Sequence, residues 1–466
     1  MQAEELSKSD EGGCPVHGTA TGAINRGAGT GKRPPLVKAL PFIGPVREFT
    51  GDVLPFLNRT RQVYGDVFRL RIVGMEMTCL SGRDAIALLD TDELLCTTKS
   101  MGVLMRAVKS RLPGTFDGPQ HQLYRKMHHR FLNRALEREK RDEIVGCLAK
   151  NSEEWQPGHE FDALKESQHQ TVDVLSYLLN GEPFPFTSKE LSTVVHTLIF
   201  ATYGHVPLWL VLNNPAYTKA QRRMNEHFLD LVARVRQDEE LAANTLVGQY
   251  LDYPPPEGIG RWEDSDLKIV PLAAYLGGFD TVASAAAFFL YRLLSNPEVL
   301  AGVRDEYQQL AAVSDGHVDP MEQKYLRAAW QETVRINPPG ALVIRYATRD
   351  FEFAGYTIRE GDEVLIQISS DHLDDTLFPE PDRYDPGRFL GPDATTLKRH
   401  ILPFGSGAHR CTGNMVGQLF SQEMISYWVN HFDLELVPGD AKPKVVARPF
   451  TQPLGLCVRV KGRRSH

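Results

Sequence analysis

Between Leu402 and Gly417 the chain reads L-P-F-G-S-G-A-H-R-C-T-G-N-M-V-G. Phe404, Gly407, Cys411 and Gly413 fall into the frame F-x-x-G-x-x-x-C-x-G. The frame prescribes a backbone that turns tightly around a single sulfur. Gly405 and Gly407 allow such turns and let the backbone approach a flat ligand closely. Their N–H groups can then point at the sulfur and hold negative charge on it. A helical pattern follows from Asn414 to Phe432, and a helix N-terminus also favours a thiolate. Phe404 would cover the sulfur and exclude water. The competing reading of Cys411 is a buried structural thiol, since free cysteine often behaves as a small hydrophobe.

A shielded, hydrogen-bonded thiolate is a strong axial ligand for haem iron. The rest of the chain is compatible with that chemistry and excludes several others. Hydrophobic content of 42% and charged content of 24% are those of an ordinary globular protein. A net charge of −7 opposes a general nucleic-acid binder. The six cysteines, at 14, 79, 96, 147, 411 and 457, form no C-x-x-C and no zinc-type spacing. They fit a reducing compartment. No run of 18 uninterrupted apolar residues appears, and the N-terminus lacks the layout of a secretory signal. A cytoplasmic protein is therefore expected, with the apolar stretch from Val194 to Leu212 as its candidate for peripheral membrane contact.

Residues 1–33 read as a disordered tail rich in Gly, Ser, Thr and charge. G-A-G-T-G-K (Gly27 to Lys32) fails the phosphate-loop frame, which finds Arg26 and Arg33 where it needs Gly and Ser or Thr. Cys14-Pro15 is compatible with a haem-regulatory site or with a cysteine of no consequence. From Pro34 onward a single domain is expected, mainly α with a smaller β part. A hairpin is predicted around Gly74, and Cys96 to Gly118 reads as a loop with an apolar cluster. Helical patterns dominate from 136 to 300, the longest and most apolar being 264–296, the candidate central helix.

Inside that helix lies L-G-G-F-D-T, Leu276 to Thr281. Two interior glycines each cost about 1 kcal/mol relative to alanine, so they call for a reason. Either a local break holds a ligand or water beside the Thr281 hydroxyl, or neighbouring helices cross closely and Thr281 bonds back to its own helix. Upstream, His121 and Arg125 share a helix face, as a carboxylate-binding pair or a solvated basic face. Downstream, Glu332 and Arg335 have i,i+3 ion-pair spacing. Pro338-Pro339 ends that helix, strand-like runs follow, and F-P-E-P-D-R-Y-D-P-G-R-F (378–389) forms a proline-punctuated meander.

In this order, G-G-F-D-T, E-T-V-R, P-G-R-F and F-G-S-G-A-H-R-C-T-G resemble the cytochrome P-450 family of haem-thiolate monooxygenases, from about Pro34 to Val460. The resemblance implies the cytochrome P-450 fold with a long central helix, and one haem b (iron protoporphyrin IX) ligated by Cys411. It implies haem propionate contacts from His121, Arg125, Arg345 and His409. Glu332, Arg335 and Arg388 match the family's buried ion-paired triad, and Asp280 with Thr281 its proton-relaying acid–alcohol pair. Substrate contacts are expected from Met101, Leu104, Ala274, Gly277, Leu342 and Phe450. Those segments are mainly apolar, which implies a hydrophobic or amphipathic small molecule, as in lipid, terpenoid or other secondary metabolism. Gly277 replaces the usual alanine, and N-M-V-G-Q-L-F after Gly413 departs from the common pattern. The segment 96–118 and F-D-T do not resemble those of sterol demethylases.

The chain ends soon after Cys411, so no fused flavin reductase is expected. Electrons would come from NAD(P)H through a ferredoxin or flavodoxin and its reductase. Arg125, Lys126, His128, His129, Arg130 and Arg134, with Lys398, Arg399, His400 and Arg410, form either a cationic dock for such an acidic carrier or a solvated basic face. Alternatives are a haem-thiolate peroxygenase or isomerase, against which the Asp280-Thr281 pair weighs, and a non-catalytic haem sensor.

Overall fold

The structure is a computed structural model. It describes residues 24–25, 31–39, 44–49, 51, 53–90, 93–110, 117–134, 138–203, 208–255, 260–314, 318–437, 442–447 and 450–464. Cys14-Pro15, Gly27 to Thr30 and His205 to Pro207 lie outside these. Within the stretch read as a tail, Ile24–Asn25 pairs antiparallel with Phe353 and Glu352, and Arg33 forms an ion pair with Asp362.

The fold is mainly helical with a smaller strand part, 54% helix, as its periodicities predict. Seven helices position the site: α1 (Thr98–Val108), α2 (Pro119–Arg134), α3 (Ala163–Asn180), α4 (Ser188–Tyr203), α5 (Ile269–Ser295), α6 (Lys324–Ile336) and α7 (Asn414–His431). The expected central helix is α5. Helices α3, α6 and α7 pack against it, and α4 reaches it from the side that also meets α1. Its run of Ala283, Ala285, Ala286 and Ala287 is buried; small side chains there let neighbouring helices come close. A Cβ on Gly278 would stand 3.0 Å from Leu175 Cδ1 of α3, so this glycine serves a close helix crossing. Together with a preceding turn, Asp264–Ser295 is the one run among the described residues long and apolar enough to cross a membrane. Its most apolar window is 67% buried inside the protein, as befits a core helix.

The main sheet joins distant parts of the chain. Its strands are β1 (Val67–Ile72), β2 (Met75–Ser81), β3 (Leu95–Cys96), β4 (Leu342–Ala347) and β5 (Glu363–Gln367), in the order β1-β2-β5-β4-β3. Only β2 and β5 run parallel. The predicted hairpin is present: Ile72 pairs with Met75 across a two-residue turn. Val73 and Gly74 have φ of 50° and 80°, the positive values of a turn that matches strand twist.

Two expectations change. The predicted loop 96–118 contains the helix α1; Leu104, Met105 and Val108 have the spacing of one helical face, with Leu104 and Met105 packed against the core. The helical pattern of 136–300 is also interrupted: Glu239–Ala243 and Leu246–Leu251 are separate helices, because the Thr245 hydroxyl caps a new start by accepting from Gly248 N–H.

Candidate active site

The cysteine loop is held by its own backbone. Cys411 N–H donates to Phe404 O at 2.9 Å, Arg410 N–H to Gly407 O at 3.0 Å and Gly405 N–H to Leu402 O at 3.0 Å. Gly405 and Gly407 have φ of 72° and 74°. At Gly407 a Cβ would fall 2.0 Å from Leu89 O, so no other residue fits there. The sulfur receives its N–H from Gly413, which caps α7, and Gly405 spends its own on Leu402. Cys411 keeps an accessible face, yet protein crowds its other sides. Burial pushes its thiol up, opposed by the Gly413 N–H and the charges of Arg125 and Arg410. Phe404 stacks on Trp330 of α6, centroids 6.0 Å apart. A Cβ on Gly417 would lie 3.5 Å from Val282, so the cysteine helix meets α5 one residue beyond Thr281.

Three of the four predicted propionate donors come together. His121 and His409 stack with centroids 4.0 Å apart. His409 Nε2 donates to Asp117 Oδ1 at 2.7 Å, and the Arg125 guanidinium donates to Arg410 O. Burial, then the neighbouring His409 and Arg125, lower the His121 pKa to about 4, so the ring is neutral at pH 7. Its Nδ1 is buried with no hydrogen-bond partner. Arg345 lies on β4, where its guanidinium donates to Ile344 O at 2.8 Å.

Glu332, Arg335 and Arg388 meet in one ion-paired cluster. Glu332 and Arg335 are both 0% exposed and joined by two hydrogen bonds of 2.7 and 2.8 Å. Arg388 Nε donates to Glu332 Oε1 at 3.2 Å, and Asp385 N–H to the same oxygen at 3.1 Å. Arg335 also donates to His372 O and Pro381 O, each at 2.7 Å. Sequence reasoning missed His372. Burial lowers its pKa to about 4, so it is neutral; Nδ1 donates to Arg335 O at 3.1 Å and Nε2 accepts from Leu402 N–H at 3.2 Å. One imidazole thus ties the triad to the first residue of the cysteine stretch.

On α5 the acid and the alcohol diverge. Asp280 is 1% exposed. It accepts from Gln168 Nε2 of α3 at 2.9 Å and pairs with His196 Nε2 of α4 at 2.8 Å. The Thr281 hydroxyl donates to Gly277 O at 2.7 Å. The helix is continuous from Ile269 to Ser295, so of the two alternatives the second is seen: there is no local break, and the threonine bonds back to its own helix. A Cβ on Gly277 meets nothing within 4 Å. Gly277→Ala is therefore expected to stabilise the protein by about 0.5–1 kcal/mol through helix propensity, read as a higher urea midpoint. Gly278→Ala, which crowds Leu175, is expected to lose that gain.

Of the predicted pocket residues, Leu104 and Ala274 are partly buried against the main core. Leu342 packs against a separate cluster under the sheet, and Phe450 is half-buried. The side chain of Met101 lies outside the described residues. In the basic set, Lys126, Arg130, Lys398, Arg399 and Arg410 are exposed. His128 does not belong with them: burial holds its pKa down to about 4, and it bonds the Tyr250 hydroxyl at 2.7 Å. Nor does His400, which is buried against Asp371 at 2.9 Å.

The sequence model of the family described as Cytochrome P450 matches residues 34–456. A putative cytochrome P450 120 of Synechocystis sp. is 27% identical over 436 residues, which cover 90% of this chain and 94% of that protein. The cyclooctat-9-en-7-ol 5-monooxygenase of Streptomyces melanosporofaciens is 28% identical over 228 residues, 48% of this chain and 50% of that one. The solved structure of retinoic acid-bound cyanobacterial CYP120A1 superposes with a TM-score of 0.77 at 23% identity, covering 92% of this chain and 99% of that chain. On its sequence along nearly its whole length, this chain belongs to the cytochrome P450 family.

Proposed function

We propose that this family member, a haem oxidoreductase by its kinship, is a monooxygenase that hydroxylates or epoxidises a hydrophobic small molecule. Hydroxylation consumes the substrate C–H, one dioxygen, two electrons and two protons, and yields C–OH and one water. The carrying observation is the cysteine loop, where the Gly413 N–H and the Arg125 and Arg410 charges are spent on one sulfur.

The residues present fit a haem. A thiol that burial raises is deprotonated on binding a cation, and Cys411 offers its accessible face to one. The orphaned Nδ1 of buried His121, beside Arg125 and His409, calls for an anionic acceptor such as a propionate. Haem held by Cys411 supplies the one-electron and dioxygen chemistry, which thiolate ligation biases toward O–O cleavage. The protein's part is to exclude water, orient the substrate and meter protons. We assign the last role to Thr281 and Asp280, substrate contacts to Leu104, Ala274, Gly277, Leu342, Phe450 and Met101, and a fourth propionate contact to Arg345.

Electrons come from NAD(P)H through a separate acidic ferredoxin or flavodoxin. Exposed Lys126, Arg130, Lys398, Arg399 and Arg410 support such a dock. Residues 34–466 form the catalytic unit, in the cytoplasm. Exposed Phe200, Trp209 and Leu210 give it a face for peripheral contact with a membrane. The names of two similar proteins mention retinoic acid and cyclooctat-9-en-7-ol, in keeping with a hydrophobic substrate.

The test is turnover of a panel of hydrophobic compounds with a surrogate ferredoxin system, counting product and peroxide per reduced cofactor. Wild type is expected to give product from dioxygen, and Thr281→Ala to divert most electrons to hydrogen peroxide. Product formed only from added peroxide, despite fast reduction, would favour the peroxygenase. Unchanged coupling in Thr281→Ala would remove the threonine from the relay.

A further inference from the structure

We propose that His196 is the proton-loading residue for Asp280, so that protons enter the oxygen-activating side of this enzyme through α4. The proposal rests on the relay role given above to Asp280 and Thr281. Asp280 is 1% exposed, so it does not meet solvent directly. The His196 side chain is 45% exposed and holds Asp280 Oδ2 through Nε2 at 2.8 Å. Its other nitrogen, Nδ1, lies 3.1 Å from the Ser192 hydroxyl on the outer side of α4. One imidazole therefore spans from a solvent-facing hydroxyl to a buried carboxylate. The second carboxylate oxygen is fixed by Gln168 Nε2 at 2.9 Å.

Proton bookkeeping follows from this geometry. The imidazolium gives its Nε2 proton to Asp280 Oδ2, leaving a neutral imidazole and a carboxylic acid. Water then reprotonates the imidazole at Nδ1, directly or across Ser192. While both partners are charged, the hydrogen bond is strong; after transfer both are neutral and the grip roughly halves. The protonated carboxyl is then free to swing toward its sequence neighbour Thr281, whose hydroxyl rests on Gly277 O. The pairing thus loads the acid and releases it in one step.

The electrostatic setting agrees. The hydrogen bond to Asp280 raises the His196 pKa above its ordinary value, against the opposing effect of burial. Among the described residues, Asp280 is the charged group acting on His196. Arg223, on the helix Pro215–Val235, is engaged by Glu190 at the other end of α4. Since the folded pKa is raised, the loaded form persists below it and is lost as pH rises through it. Turnover is expected to fall along that alkaline limb.

His196→Gln keeps a hydrogen-bond donor but cannot titrate. In the haem-loaded protein it is expected to slow turnover about tenfold. That is less than the roughly 10²–10⁴ of a positioned donor, because water can enter in its place. It should also raise the solvent deuterium isotope effect and flatten the alkaline limb. An independent readout is the His196 titration by NMR of histidine-labelled, reduced, carbon monoxide-bound protein, assigned by the resonance missing in His196→Gln. Asp280→Asn is expected to move that titration to lower pH. Wild-type rate and an unchanged pH profile in His196→Gln overturn the proposal, as does a His196 titration unmoved by Asp280→Asn. Wild-type rate and coupling in Asp280→Asn would instead overturn the relay reading on which it rests.

Discussion

Glu332→Gln is expected to destabilise the protein by about 3–5 kcal/mol, the cost of removing one partner from a buried ion pair. The substitution is nearly isosteric, so packing changes little and charge changes most. It leaves the guanidiniums of Arg335, fully buried, and Arg388, nearly so, without their carboxylate. Three lines of backbone contact would loosen with them: Arg335 to His372 O and Pro381 O, Arg388 to Glu380 O, and Asp385 N–H to Glu332 itself. Through His372 the disturbance reaches Leu402 N–H, the entry to the cysteine loop. The variant should therefore also lose haem more readily. The checks are the urea midpoint and the haem absorbance retained on gel filtration. Arg383→Ala, which breaks the exposed pair with Glu380, is the control and should change neither. If Glu332→Gln matched that control, the triad would not be bracing the loop.

What could be read from the sequence, and what could not, follows from the range of the interactions. The cysteine frame was legible because it is local: Gly405, Gly407 and Gly413 shape the backbone within a few residues of Cys411. Even so, the assignment of N–H donors shifted from Gly405 and Gly407 to Gly413, since donor direction depends on dihedral angles that the pattern leaves free. Glu332 and Arg335 were legible as an i,i+3 pair, and Arg388 through resemblance. Helix α1 went unrecognised although Leu104, Met105 and Val108 carry helical spacing; a short stretch opening on polar residues reads equally well as a loop.

The partners of Asp280 were beyond reach for another reason. His196 and Gln168 lie 84 and 112 residues away, and no periodicity encodes which side chains meet across α3, α4 and α5. His128 failed as a member of the basic face because charge is a property of burial as well as residue type, and His400 because it is turned inward onto Asp371. A histidine beside lysines in sequence is cationic only if it reaches water, and His128 instead bonds Tyr250 in the interior.

Cys411→Ser is expected to remove the thiolate signature and reduce monooxygenase turnover to background, while the fold survives. The fold should survive because the loop is held by backbone bonds that do not involve the sulfur: Cys411 N–H to Phe404 O, Arg410 N–H to Gly407 O and Gly405 N–H to Leu402 O. Gly407, wedged at Leu89 O, and the Phe404–Trp330 stack stay in place. The chemistry should be lost because a serine hydroxyl is a far weaker acid than a thiol. The Gly413 N–H and the charges of Arg125 and Arg410, which already oppose burial at the thiol, do not suffice to ionise it. Without an anionic sulfur, the push that favours O–O cleavage is absent. The decisive measurement is the carbon monoxide difference spectrum of the reduced protein, with circular dichroism as the fold control. Wild type should show the band specific to thiolate ligation, and the serine variant should show none at that position while keeping its helical signal. A thiolate band that persisted in Cys411→Ser would move the ligand to another cysteine. A wild-type protein that bound haem without the band would leave the cysteine loop as a structural turn, its glycines serving Leu89 and α7 alone.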